Sequence, residues 1–351
     1  MADDQPDIPI ADRIDGLLQP FEHGMMIGQD DAEGKFIEAQ RSGRLHHAWL
    51  LCGERGIGKA TFAFRLARHF VELNDETAPL TSNALDEAAD PNSRVFRQVA
   101  HGAHQNILHL RVPLDEKTGR FKTRLTVDEV RRTVSFFGST RGENGFRICL
   151  VDSVDQMNVN AANALLKILE EPPERTLFFL LSERPGRLLP TIRSRCRKLD
   201  FGPLDVAAIS KILDEVADEP VEATVLERHR SALSGSVRRA FLFARHGNDE
   251  IKQAFDSLVS NANPPTSEIH RFADVISARG EDERYAFFID FLEDFLRSRI
   301  ATDTNLDRLV SCAEVWEKVH DRLRTGERYN LDRKQLVLSV FHELKSLPTG
   351  G

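Results

Sequence analysis

Five short apolar runs, separated by stretches of helical periodicity, set the rhythm of the chain between residues 48 and 201. They are AWLLC (48–52), NILHL (106–110), FRICLV (146–151), TLFFLL (176–181) and RKLDF (197–201). Between them, ATFAFRLARHF (60–70), TVDEVRRTVSFF (126–137) and NVNAANALLKILEE (158–171) carry apolar residues three and four apart. Strand-like runs alternating with amphipathic helices predict an α/β core, a parallel five-stranded sheet wrapped by helices. The helix over 158–171 should stop at Pro172-Pro173, which offer no amide donors.

Two regions depart from this rhythm. Residues 74–105 are polar, rich in Asn, Asp and Ser, and longer than an ordinary connection, which predicts a surface insertion. After Pro203 no strand pattern follows. PLDVAAISKILDEV (203–216) and residues 221–246 read as a small helical unit. From residue 249 the helical periodicity is stronger: Phe288, Leu292, Phe295 and Arg299 share one stripe, and Leu336, Val340 and Leu344 another. The first twenty or so residues read as a loosely ordered arm, and no repeat or heptad pattern is present.

Charge and cysteine content narrow the class. A formal net charge of -8 argues against a general nucleic-acid coat while leaving room for a local basic patch. Cys52, Cys149, Cys196 and Cys312 never fall into a C-x-x-C spacing, so a structural zinc site is not expected. Scattered thiols fit a reducing compartment. The start, MADDQPDIPIADRID, is acidic without an apolar run and predicts no secretory leader. Runs such as LFFLL (177–181) are too short to span a bilayer. The expectation is a cytoplasmic protein with no membrane partner.

The candidate chemistry begins at GERGIGKA (53–60), between an apolar run and a helical one. It nearly matches the phosphate loop G-x-x-x-x-G-K-[ST], with Gly53, Gly58 and Lys59 in place. Glycines, Gly56 among them, let backbone amides converge on phosphate oxygens, and the helix start adds a positive dipole. Lys59 would bring a point charge to the outer phosphates. The hydroxyl that should follow, a magnesium ligand, is replaced by Ala60. Thr61 is one step on, turned by about 100° on a helix, and should face elsewhere.

Asp152 ends the run FRICLV, where a carboxylate reaches a metal ion or its water shell. By itself it also reads as a plain strand-end carboxylate. A water-polarising acid is expected next, but Ser153 stands there, and a protonated hydroxyl is a poor base. Asp155 lies two positions past the site where that acid belongs. Arg184, Arg187, Arg193, Arg195 and Arg197 crowd one segment, which for most of them reads as a solvated basic face. Arg195 differs: it occupies a short junction before a strand, from which it could reach a neighbouring subunit's nucleotide. In LSGSVRRAF (233–241), Ser236 could cap a helix and set Arg238 or Arg239 on its first turn, against the dipole unless a phosphate is near.

Together IGQ (27–29), RSGRLHHAWLLCGERGIGKA (41–60), LVDSVD (150–155), NALLKILEEPP (163–173), FFLLSERPGRLLPTIRSRC (178–196) and SGSVRRA (234–240) resemble the clamp-loader branch of the AAA+ proteins, and within it the delta-prime family of the bacterial DNA polymerase III clamp loader. The likeness runs over about residues 20–245. Beyond 250 it rests on NLDRKQLVLSVF (330–341) and helical content. It implies an arm (1–20), an AAA+ core of the P-loop NTPase type (21–202), a three-helix lid (203–247) and an all-α C-terminal collar for oligomerisation (248–351).

It further implies a non-motor stator that helps load the sliding clamp onto primed DNA. Its partners would be the gamma/tau motor subunits and the delta subunit, and Arg195 would be offered in trans as an arginine finger. Gly28 and Gln29 would lie near an adenine, and Arg238 would sense the outer phosphate. With Gly53, Gly56, Gly58, Lys59, Thr61 and Asp152, these form the nucleotide set. ATP or ADP with weakly held Mg2+ stays open, and zinc is withheld because residues 71–105 contain no cysteine. Two rivals remain: an active ATPase motor in which Thr61 and Asp155 replace the missing groups, and a sensor that binds ATP without turning it over.

Overall fold

The AWLLC run becomes strand β1 (Ala48–Cys52), buried along its whole length because sheet neighbours flank it and helices cover both its faces. The computed structural model describes all residues except 1–9, 12, 74–77, 116–119, 123, 139–144, 247–248, 262, 279–281, 303–304, 330 and 348–351. The first nine residues of the arm and residues 74–77 of the expected insertion therefore lie outside the described residues. The other strands are β2 (Ile107–Leu110), β3 (Leu114–Asp115), β4 (Arg120–Phe121), β5 (Arg147–Val151), β6 (Thr176–Ser182) and β7 (Arg197–Asp200). Five of them form a parallel sheet in the order β2-β5-β6-β1-β7, so the expected core is present. β3 and β4 make a separate antiparallel pair too short to show in any periodicity.

Alternation along the strands builds two cores. Trp49 and Leu51, Ile148 and Leu150, and Leu177, Phe179 and Leu181 face one side. Leu50 and Cys52, Cys149 and Val151, and Phe178 and Leu180 face the other. Strands buried on both faces read as continuous apolar runs, which is why β1, β5 and β6 are plain in the sequence, whereas the edge strand β7 is mostly exposed and β2 only half-buried. Helices α1 (Asp30–Arg41) and α2 (Lys59–Glu72) pack on the first face through Phe36, Phe62, Leu66 and Phe70. On the second face, α5 (Val127–Gly138) and α6 (Val159–Glu170) bring Val130, Leu165 and Leu169. Asn158 caps α6 by accepting from Ala161 N at 2.8 Å, and the helix ends ahead of the proline pair.

The stretch expected to be a polar surface insertion is not one. It holds α3 (Ser82–Glu87) and α4 (Arg94–Ala100), capped by Thr81 and Ser93. Leu80, Leu85, Val95 and Val99 are buried in the α2 core. Gln40 grips the segment by donating to Ala78 O (2.8 Å) and accepting from Leu80 N (2.9 Å). Helices this short never complete the period that marks a helix in sequence, and their apolar residues are diluted among polar ones.

After α7 (Pro190–Arg193) and β7 the described residues form helices: α8 (Val206–Val216), α9 (Ala223–Arg228), α10 (Arg230–Leu233), α11 (Val237–His246), α12 (Asp249–Ser260), α13 (Thr266–Ile276), α14 (Asp282–Thr302), α15 (Leu306–Tyr329) and α16 (Arg333–Leu344). The chain divides into two compact units, Met1–Ala223 with Ser234–Arg238, and Thr224–Leu233 with Arg239–Gly351. The second unit centres on Phe255, whose ring lies 5.1–6.2 Å from those of Phe272, Phe288, Phe291, Phe295 and Phe341. Phe288 and Phe295 are the stripe read from the sequence, and Arg299 continues it by stacking on Phe295. No helix among the described residues is long and apolar enough to cross a membrane.

Candidate functional site

The loop after β1 has the backbone a phosphate loop needs. Gly53, Gly56 and Gly58 all have positive φ, and Gly58 (φ 103°) is the residue from which α2 starts at Lys59. At Gly56 only glycine fits: a Cβ would meet Ser236 Oγ and Arg238 Cβ, each at 2.5 Å. The Ser234–Arg238 segment closes on the loop, with Ser236 Oγ donating to Arg55 O at 2.7 Å and Val237 N donating to Gly56 O at 2.9 Å. Ser236 thus meets the loop, an engagement that a capping pattern does not reveal.

Above the loop lies a cavity of about 170 Å³. At its polar end stand Arg55, Lys59, Asp152, Ser153, Glu183 and Arg238; its apolar part is made by Met26, Leu204, Ile212 and Val216. Lys59 is buried, with Nζ donating to Gly53 O (2.7 Å) and Glu54 O (2.6 Å). Burial pushes its pKa below the usual lysine value, and the carboxylates of Glu183 and Asp152 partly restore it. Asp152 Oδ2 stands 3.7 Å from His109 Nε2. Thr61, expected to face elsewhere, lines the same cavity, because the cavity wraps around the first turn of α2 and reaches both Ala60 and Thr61.

The described part of the arm is docked, not loose. Ile14 is buried, Leu18 N donates to Val216 O, and Asp218 N donates to Gly16 O. Ile14, Leu17 and Leu18 wall the cavity. A segment of successive turns held by isolated apolar residues leaves no periodic trace in sequence. Arg68, wholly buried, anchors the end of this segment by donating to Phe21 O (2.6 Å) and His23 O (3.1 Å).

His23 lies in this wall with its pKa pushed down to about 4 from 6.5, by burial first and then by the Arg68 charge. A histidine whose folded pKa lies below its unfolded value takes up protons preferentially in the unfolded chain between the two. Stability therefore falls as pH drops from 6.5 towards 4. Urea unfolding across that window should show the loss, and His23→Asn, which cannot titrate, should flatten the slope. Parallel slopes in the two proteins would assign the acid sensitivity elsewhere.

Not every expected residue joins the site. Gly28 and Gln29 are outside the cavity lining: the Gln29 amide donates to Ile57 O (3.1 Å) and Gly202 O (2.8 Å) and accepts from Gly202 N (3.2 Å), tying the phosphate loop to the end of β7. Asp155 accepts from Ser182 Oγ (2.7 Å), Glu183 N (2.6 Å) and Arg184 N (3.1 Å), which fastens the turn after β5 to the end of β6. Arg195 sits apart, between α7 and the edge strand β7. Its Nη1 donates to Thr191 O (3.0 Å), and its Nη2 pairs with Glu170 Oε1 at 2.7 Å. His109 and Glu183, near or just past the carboxyl ends of β2 and β6, were missed. The rule that ligands bind beyond the carboxyl ends of parallel strands could have pointed to both.

The donor set does not fit the magnesium ion that a phosphate loop of this kind implies. Ala60 has no side-chain oxygen, Asp152 is the one acid of the expected pair and stands 3.7 Å from His109, and Asp155 is committed to the β6 turn. Among the described residues no group of three or more His, Cys, Asp or Glu could hold a metal ion.

Comparison with known proteins adds independent information. The sequence model of a family described as "DNA polymerase III, delta subunit" matches residues 28–205. The DNA polymerase III subunit delta' of Pseudomonas aeruginosa is 38% identical over 189 residues, 53% of each chain. That of Bacillus subtilis is 33% identical over 211 residues, covering 60% of this chain and 57% of the relative. The tau subunit of Escherichia coli is 31% identical over 218 residues, 61% of this chain and 31% of the relative. The chain thus spans little more than half the length of the delta' relatives it matches.

Proposed function

The chain belongs to the family described as DNA polymerase III, delta subunit, and from that premise we propose that it is a non-motor subunit of a clamp loader. It helps to place a sliding clamp on primed DNA, alongside gamma/tau-type motor subunits and a delta subunit, and presents Arg195 to a neighbour's nucleotide. In this reading the helices from α12 onward serve as the collar through which subunits associate.

The observation that carries the non-hydrolysing role is the fate of the groups that would have to act on a bound triphosphate. Ala60 offers no metal ligand, and Ser153 offers no base. Asp155, the replacement the motor rival needs, is outside the cavity lining and already accepts three hydrogen bonds from residues 182–184. A carboxylate spent in this way is poorly placed to orient water. Thr61 lines the cavity, so the motor rival keeps a hydroxyl near the site but has no carboxylate in the base's position.

The purified protein should hydrolyse ATP no faster than background. Turnover near about one per second, the low end for working enzymes, that disappears in Lys59→Ala would overturn the non-motor role. Co-purification with the other loader subunits from the source cell tests membership of the assembly separately.

A second reading, compatible with the first, is that the chain holds ATP or ADP without turning it over. It is favoured by the preserved loop geometry and by Lys59 and Arg238 both lining the cavity. Equilibrium binding of labelled nucleotide separates a nucleotide-holding stator from a bare one.

A further inference from the structure

The mismatch between the cavity and magnesium bears directly on the ligand the cavity can take. A phosphate loop ordinarily shares the charge of a nucleotide between protein cations and a divalent ion held by the loop hydroxyl and a strand-end acid. Magnesium demands near-ideal octahedral oxygen geometry and is surrendered when protein oxygens are lacking. Here the loop hydroxyl is gone, and the strand-end acid shares the cavity wall with a histidine and a serine rather than with a second oxygen donor from the loop. Asp152 Oδ2 lies 3.7 Å from His109 Nε2, and Ser153 Oγ lies 3.5 Å from Asp152 Oδ1. The His109 ring is itself set edge-on against Phe64, with centroids 5.3 Å apart.

The cationic half of the site is intact. Lys59, Arg55 and Arg238 line the cavity, Arg55 with its Nε 3.9 Å from Glu183 Oε1, and the N-terminus of α2, a helix of 14 residues, opens onto it. Backbone amides at a helix start bind phosphate oxygens without any metal. Lys59 Nζ is held by two carbonyls of the loop, Gly53 O and Glu54 O, within the arc that phosphates occupy in such loops. Much of the remaining cavity wall is apolar, Ile14, Leu18, Met26, Leu204, Ile212 and Val216 among it, as suits the flat face of a base.

We propose that this cavity binds a nucleoside di- or triphosphate without recruiting a divalent cation, the protein's own cations and the α2 amides carrying the neutralisation. The proposal rests on the reading of the cavity as a nucleotide site and goes beyond it by excluding the metal from the complex. A site of this kind keeps its occupant through changes in free magnesium that would empty a motor site, as suits a subunit that does not cycle.

The test is calorimetric titration of the full chain with ATP, and separately with ADP, in excess magnesium and in excess EDTA. For both nucleotides the Kd in the two conditions should agree within about threefold. Lys59→Gln, which keeps most of the stem, and Arg238→Gln should each weaken binding about tenfold or more in EDTA, which places the ligand in this cavity. Binding about tenfold tighter in magnesium overturns the proposal while leaving nucleotide binding in place. Binding in EDTA that survives both substitutions overturns it by placing the ligand elsewhere. No binding of either nucleotide in either condition overturns both the proposal and the nucleotide reading. The clamp-loader assignment would still stand or fall on co-purification.

Discussion

Arg195→Ala should slow ATP turnover by the reconstituted clamp loader while leaving this chain folded and able to assemble. The substitution is structurally mild, because the Arg195–Glu170 pair lies at the surface, with side chains 34% and 48% exposed. Exposed ion pairs contribute about 0–1 kcal/mol. The functional effect is expected to be far larger. An arginine supplied in trans to a transferring phosphoryl group is worth roughly 10³ to 10⁵ in rate.

The geometry suits that role: Thr191 O and Glu170 hold the guanidinium at two points, at the edge of the sheet and away from the chain's own cavity. A fork held in place before docking loses less freedom when it meets a phosphate. Only the motor site that this subunit faces would be affected, so the total rate should drop partially. Arg195→Lys should recover little, since a point charge does not reproduce the fork. The measurement is the ATPase rate of the loader with primed DNA and clamp, at equal assembly by size exclusion. An unchanged rate would return Arg195 to the solvated basic face.

Phe36→Ala should cost about 3–5 kcal/mol, the range for removing a fully buried aromatic ring. Phe36 is wholly buried, with its ring centroid 4.6 Å from that of Trp49, 5.9 Å from Phe62 and 6.1 Å from both Phe70 and Phe179. Those rings belong to β1 and α2, which flank the phosphate loop, and to β6 beside β1, so the space left behind opens in the core on which the loop's two anchoring elements pack. Against a typical total stability of about 5–15 kcal/mol, the loss removes a large share. Urea unfolding should show the midpoint fall steeply, with Phe36→Leu losing much less because it refills part of the volume. A shift below about 1 kcal/mol would mean that the surrounding rings collapse into the gap.

Much of the site was legible because its members are contiguous. Gly53, Gly56, Gly58 and Lys59 lie in one loop, and the missing hydroxyl at Ala60 can be seen without any coordinates. Asp152 was legible because it ends an apolar run, whereas Arg195, singled out in the junction before a strand, lies apart from the cavity on Thr191 O and Glu170. Gln29 shows where such reading stops. It belongs to a recognisable motif, yet its amide is used on Ile57 O and Gly202 O, a partnership across 173 residues in the second case.

The sequence by itself determined the five strands, their crossover helices and the phosphate loop. The central strands β1, β5 and β6, buried on both faces, must be continuously apolar, and a turn that approaches phosphate must be rich in glycine. Only the tertiary structure decided what surrounds that loop. β2 and β5 run parallel with Leu110 beside Val151, and that register sets His109 near Asp152, although 43 positions separate the two in the chain (152 − 109). The β6 turn claims Asp155, Ile14, Leu17, Leu18 and Met26 become part of a cavity wall, and the supposed insertion puts Leu80, Leu85, Val95 and Val99 into the core. These outcomes depend on side chains meeting across long stretches of chain. Local periodicity records which face a residue turns inward, but not which neighbour it finds there.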